Sequence, residues 1–281
     1  MKAVFSFGTK FLTEHNFYAG FPDAEAWGCS CVLSVLLARQ HLGRAELYAD
    51  ACGAARLAAL GLPFDAVHPA FEEFPYPPQL WMAMKLQTYR RQTEPFVHLD
   101  FDAYLWAPLP PRLSAAGLIA QSSEDNYPCY HRVLSYFLDH AGYVPEFVRD
   151  HVAQYGLQIR ALNAGVYGGH DLATLHASAD EVFVTLAHPA NAPMLAELAA
   201  RHAAPGDVFY DFNILLEQCF ASMYFHQCGL RVGYVLGEEP PYFTHLLASA
   251  KHHPDNMRDL KNRVSKDYPE YYERVLAQGN K

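Results

Sequence analysis

"PFVHLDFDAYLW", residues 95–106, carries an apolar run into two carboxylates, Asp100 and Asp102. The apolar, β-favouring part predicts a strand over 95–101. Asp is a poor strand former and costly to bury unpaired, so the two acids mark the strand's end and call for a cation. Side chains alternate along a strand, which is expected to put Asp100 and Asp102 on one side.

Working back towards the N-terminus, the pattern alternates. "AVFSF" predicts a strand, and "DAEAWGCSCVLSVLLARQHLG" a helix with an acidic start, a buried stripe and Gly43 as its stop. "AELYAD" and "LPFDAV" predict two more strands around a short helix, "GAARLAALG". "PPQLWMAMKLQTYRRQ" predicts a helix with Pro at its start and positive charge at its end. A β-α-β-α-β-α-β order implies an α/β fold, a mostly parallel central sheet flanked by helices. In such sheets ligands gather beyond the carboxyl ends of the strands, where the two Asp are expected. Two carboxylates there predict a metal site.

After Trp106 the pattern is less regular. "GLIAQ", "IRALNAGVYGG" and "RVGYVL" predict strands, the second ending in glycines, and "PYFTHLL" leads into a polar tail. Helices are expected over "YHRVLSYFLDHAG", "PEFVRDHVAQYG", "HDLATLHASADEVFVTLAH", "APMLAELAARHAA" and "DVFYDFNILLEQCFASMYFHQCG". No repeat, low-complexity tract or linker interrupts the chain, so one domain over 1–281 is expected.

Composition narrows the function. A length of 281 residues, 51% hydrophobic and 14% aromatic, is that of a globular chain with a full core. A net charge of -9, with no basic run longer than Arg90-Arg91, argues against a nucleic-acid partner. No apolar run is long enough for a transmembrane segment, and Gly8, Thr9 and Lys10 interrupt any signal-peptide core. Six cysteines without a C-x-x-C pair indicate neither a zinc ribbon nor a disulfide framework, and a cytoplasmic protein with free thiols is expected.

A lone D-x-D is weak, since about one occurs by chance in a chain of this kind. Three later features bear on it. "LNAGVYGG" sets Asn163 and glycines at the end of a strand, where backbone N–H groups can approach a ligand closely, or simply in a glycine-rich turn. "LLEQCF" carries Glu217 and Gln218 inside an apolar helix, where surface polar residues are commonplace. "THLLASAKHHP" offers His245, a frequent metal ligand, and Lys251, a point charge suited to phosphate. With 15 His in the chain, most are ordinary.

The ordered set Asp100-Phe101-Asp102, Asn163-Ala164-Gly165-Val166, Glu217-Gln218 and His245…Lys251 resembles the retaining glycosyltransferases of the glycogenin and bacterial lipopolysaccharide galactosyltransferase type. Those enzymes have a D-x-D strand, an N-A-G-V strand, a D-Q-D helix and then H-x-x-G-x-x-K-P-W. Lys85 in "MAMKLQTY" matches the basic residue on the helix before D-x-D. "HLDFDAYLWAPL" with "LNAGVYGGHD" is similar to an uncharacterised bacterial branch of these enzymes. The match covers most of the chain as islands. Ala248 replaces the motif's Gly, "HHP" its P-W, and Glu217 its first Asp, and no second acid follows Gln218.

The resemblance implies a GT-A fold, the Rossmann-like fold of nucleotide-diphospho-sugar transferases. Residues 1–106 would form the nucleotide-sugar half, and 107–281 the acceptor-side half with a C-terminal helical segment. It implies a metal-dependent hexosyltransferase that uses a nucleotide-diphosphate sugar, a UDP-hexose, with retention. Asp100, Asp102 and His245 would hold Mn²⁺ or Mg²⁺, with Asp100 also reaching the donor ribose. Lys251 would meet the diphosphate. Lys85, Asn163, Ala164 and Gly165 would position the sugar, with Glu217 and Gln218 catalytic. The acceptor stays open between saccharide, lipid-linked glycan and peptide. A non-catalytic sugar-nucleotide or carbohydrate-binding protein is the alternative. A D-x-D phosphohydrolase is a weaker one, since that class places the motif near the N-terminus and has Thr or Val where Tyr104 stands.

Overall fold

Every residue of the first strand, β1 (Lys2–Phe7), is buried, as expected of a run flanked by strands on both sides. The computed structural model describes residues 1–12, 18–125, 127–200, 207–237 and 243–279. The chain falls into two compact units, interleaved in sequence rather than divided near Trp106. The first comprises Met1–Phe74, Phe96–Pro110 and Leu236–Lys281, and the second Pro75–Pro95 and Pro111–Val235. The C-terminal segment thus belongs with the N-terminal β/α unit.

In the first unit, β1 lies between β2 (Ala45–Ala49) and β4 (Phe96–Leu99), and β3 (Ala66–Pro69) lies outside β2. All three pairings are parallel, giving the order β4-β1-β2-β3. The chain steps outward from β1 to β3 and then returns to β1's other side. The order thus reverses between β1 and β4, and in such sheets ligands bind beyond the carboxyl ends of the strands at that point.

The helix α1 (Ala24–Leu42) begins where Asp23 accepts the Ala26 N–H. It ends at Gly43, whose φ of 80° suits a residue without Cβ. A second helix, α2 (Ala51–Ala58), is capped by Asp50 in the same way. Two C-terminal helices, Pro254–Asp267 and Pro269–Gly279, pack on α1. Lys261 bonds Asp23 and Glu25, and Tyr272 donates to Glu25. A Cβ on Gly28 of α1 would come 2.9 Å from Val275, so glycine lets these helices approach.

β4 stops at Leu99, two residues short of the strand expected from sequence. Asp100 to Ala103 form a turn closed by the Ala103 N–H on the Asp100 carbonyl (3.0 Å). The next strand, β5 (Ala103–Leu105), pairs antiparallel with Phe243–His245. The two carboxylates are therefore arranged by a turn, not by strand alternation.

The second unit has a smaller mixed arrangement. Leu118–Ala120 pairs parallel with Val232–Tyr234 and antiparallel with Val166–Gly169. The single strand expected over "IRALNAGVYGG" is two, Arg160–Leu162 and Val166–Gly169, interrupted at Asn163. There the Asn163 side chain accepts the Gly165 N–H, a local bond that competes with the ladder. The expected helices form, including Leu172–Ala187 behind its Asp171 cap. Residues 201–204 of "APMLAELAARHAA" lie outside the described residues.

The glycines closing "VYGG" have a packing reason. Gly169 has φ 135°, and a Cβ there would lie 2.0 Å from the Gly117 carbonyl oxygen. Gly169→Ala is expected to cost about 3 kcal/mol or more, through backbone strain and overpacking together. Urea denaturation of the variant measures it. An unchanged midpoint would show that the strands do not approach so closely.

Candidate functional site

The D-x-D turn is held from behind by two hydroxyls of α1 spaced one helical turn apart. Ser34 Oγ lies 3.1 Å from the Asp100 carbonyl and 2.8 Å from that of Ala103. Ser30 donates to the Phe101 carbonyl at 2.8 Å and lies 2.7 Å from the Tyr104 hydroxyl. Burial raises the Tyr104 phenol well above its ordinary range. Phe101, between the two acids, stacks on Phe5 with ring centroids 5.0 Å apart. The serines inside "GCSCVLSVLL" escaped the sequence pattern. Their i, i+4 spacing in an apolar stripe is the signal that they serve a buried polar partner.

In front of the turn the chemistry gathers on Asp102, which is only 8% exposed. His245 Nε2 lies 3.0 Å from Asp102 Oδ1, and Lys251 Nζ 2.5 Å from Oδ2. Burial pushes the Asp102 carboxyl up. The Lys251 ammonium and His245 overcome that and hold it well below the usual carboxylate range. Asp100 completes the group: one ligand atom each from Asp100, Asp102 and His245 lies within 4.8 Å of the others. His98 Nδ1, in β4, stands 3.9 Å from Asp100 Oδ1, and its Nε2 is 2.9 Å from Ser6 Oγ.

His245 reaches the turn by backbone pairing. It lies opposite Ala103 in the antiparallel ladder, and the Leu246 N–H donates to the Asp102 carbonyl at 3.0 Å. Lys251 comes from the short turn Ala248–His252 that follows. Its first residue, Ala248, has φ 44°, the left-handed region that favours glycine. The backbone at the position where the resembling motif has Gly thus keeps a glycine conformation.

Two carboxylates and one imidazole at this spacing suit a hard or borderline divalent cation such as Mn²⁺ or Mg²⁺. Both Asp102 oxygens already have cationic or imidazole partners, so a metal held there would exchange with Lys251.

The remaining expected site residues lie in the second unit. The α3 helix (Met82–Arg90) carries Lys85, whose ammonium is 2.9 Å from Glu217 Oε1 and donates to the Ala164 carbonyl at 3.3 Å. Tyr89, one turn on, donates to the same Glu217 oxygen at 3.0 Å. Side-chain exposure is 5% for Lys85 and 1% for Glu217. The Asn163 amide donates to Glu124 at 2.8 Å while its oxygen takes the Gly165 N–H. Lys85, Ala164 and Glu217 are thus brought together, and Asn163 and Gly165 shape the adjoining strand break.

Glu217 and Gln218 sit in a π-helical turn, Leu215–Cys219, between the α-helical segments Val208–Ile214 and Phe220–Gln227. Such turns occur frequently at functional sites. Gln218 is half-buried there. Tyr89 and the π turn escaped the sequence, which shows only an apolar helix with two polar residues.

A family profile matches residues 1–278. The chain belongs to DUF6734, a family of unknown function. Both side-chain groups of this DUF6734 chain lie within the matched span. None of the curated proteins matches it. Among the described residues, no helix is long and apolar enough to cross a membrane.

Each group gives an expected outcome. Ser34→Ala leaves carbonyls of the D-x-D turn short of a donor and should cost about 1–3 kcal/mol in urea denaturation. Glu217→Ala leaves Lys85 buried without its carboxylate, and about 3–5 kcal/mol should be lost. The double variant Lys85→Met/Glu217→Leu should recover most of that stability. A double no better than the single would show that the charge pair is not the cause.

Proposed function

We propose that this chain is a metal-dependent glycosyltransferase of GT-A type that takes a hexose from a nucleotide-diphosphate sugar, a UDP-sugar. The observation that carries it is the meeting of Asp100, Asp102, His245 and Lys251 past the end of β4. The acid pair and the His245–Lys251 segment are distant in sequence, and the resemblance assigns the same four residues to metal and diphosphate. Asp100, Asp102 and His245 would hold Mn²⁺ or Mg²⁺, which when bound supplies Lewis-acid neutralisation of the leaving diphosphate. Lys251 would meet the diphosphate oxygens, an attraction that grows as negative charge develops there. Asp100 would also bind the donor ribose.

The sugar-end roles rest on the resemblance. Lys85, Asn163, Ala164 and Gly165 would position hydroxyls. Gln218 would lie on the far face of the anomeric carbon, which takes on oxocarbenium character. Glu217 contributes by holding Lys85. Retention of configuration also rests on the resemblance, and the acceptor is open between saccharide, lipid-linked glycan and peptide. A cytoplasmic setting goes with six free cysteines.

Calorimetry of UDP binding with Mn²⁺ and with EDTA tests the proposal. Carboxylates and diphosphate repel one another without the cation, so Mn²⁺ should tighten UDP at least about tenfold. Asp102→Asn should abolish that gain. Equal UDP affinity in both conditions would overturn the assignment. Gln218→Ala should slow sugar release from the donor strongly and leave UDP affinity nearly intact. UDP-sugar binding without turnover or hydrolysis in the wild type would instead favour a non-catalytic binding protein. Phosphatase activity without any sugar-nucleotide binding would revive the D-x-D phosphohydrolase.

A further inference from the structure

Lys251 does more in the structure than wait for a phosphate. Its ammonium lies 2.5 Å from Asp102 Oδ2, donates to the Ala19 carbonyl at 3.0 Å and stands 5.1 Å from the Phe21 ring centroid. It thus sits as a tethered monovalent cation on an oxygen of the candidate metal-binding carboxylate.

Both ends of this contact are strained. Among the described residues, three that are not glycine have positive φ: Ala19 (50°), Phe71 (71°) and Ala248 (44°). Ala19 supplies the carbonyl that accepts Lys251, and Ala248 opens the turn that carries Lys251. A left-handed alanine costs about 1–2 kcal/mol. Such strain clusters at ligand clamps and switch regions, where surrounding contacts hold it in place. Here Lys251 bonds the carbonyl of one strained residue and is carried on the turn that the other opens.

We infer that Lys251 is a built-in counter-ion that closes the Asp100–Asp102–His245 site to a bare divalent cation. It passes from Asp102 to the diphosphate when metal and nucleotide bind together. The inference rests on the metal-and-diphosphate assignment proposed above, and concerns its regulation. A metal alone must displace an ammonium from a largely buried carboxylate, with no new anion to receive it. With a nucleoside diphosphate present, the displaced ammonium gains phosphate oxygens in exchange. Metal and diphosphate should therefore favour each other's binding, and by linkage the effect is reciprocal.

Mn²⁺ binding, followed by electron paramagnetic resonance of the free ion, reads this without reference to activity. Wild type should bind Mn²⁺ at least about tenfold more tightly with UDP than alone. Lys251→Met removes the charge and keeps the length beside Phe21. It should bind Mn²⁺ alone at least about tenfold more tightly than wild type, and lose most of the coupling to UDP. Lys251→Arg, which restores the charge, should restore weak binding of the bare ion. Should Lys251→Met fail to fold, the wild-type comparison still decides, since equal Mn²⁺ affinity with and without UDP overturns the hand-off. If wild type binds Mn²⁺ with UDP and Lys251→Met binds bare Mn²⁺ no better than wild type, the counter-ion role falls while the metal assignment stands. If neither protein binds Mn²⁺ under any condition, both fall.

Discussion

A charged carboxylate at the end of a buried strand is stable only when its charge is met, and Asp102 imposes that constraint on much of the first unit. An ion removed from water without a partner costs several kcal/mol, more than half of what holds a marginal domain together. The response is specific. α1 supplies hydroxyls to the turn's carbonyls, and the strand Phe243–His245 pairs with β5 so that His245 faces Asp102. The short turn after it delivers Lys251. Through His245 and Lys251 the acid ties the chain's last segment to its first β/α units, alongside the packing of the C-terminal helices on α1.

The second unit meets the same problem with other residues. Lys85 and Glu217 are both buried, and each would be costly alone. Tyr89 and the Ala164 carbonyl take up further bonds of the pair. The π turn at Leu215–Cys219 coincides with Glu217, so a local departure from α-helical hydrogen bonding accompanies the buried acid. Apolar replacements of similar volume commonly match such pairs in stability. A buried lysine and glutamate here therefore fit a use beyond stability, which the proposed sugar-end role would supply.

The first unit's carboxylate is held by two partners of different attachment. Lys251 is a flexible cation on a strained turn, whereas His245 is fixed by a strand ladder. The fixed partner suits a metal ligand and the movable one a group that follows the ligand's charge. On the proposed reading, such a site combines stability in the free protein with a response to an anionic ligand.

From sequence alone, the α/β class, the strand leading into D-x-D and the α1 helix with its Gly43 stop were legible through local signals: apolar runs, capping residues, and acids where a strand must end. His245 was set apart from the other histidines only by the resemblance, and the fold brings it to the two acids. The boundaries of the compact units were not legible, because they depend on contacts between segments far apart in the chain. Nor was the turn at Asp100–Ala103, since strand alternation and a tight turn both place residues two apart within reach of one another. The roles of Ser30 and Ser34 were not visible, because the carbonyls they serve lie far along the chain. The break at Asn163 was hidden because its side chain replaces a ladder bond that sequence pattern assumes. Lys251 was expected to meet phosphate, and only the tertiary structure put it on Asp102, because a buried carboxylate takes the nearest cation the fold can bring.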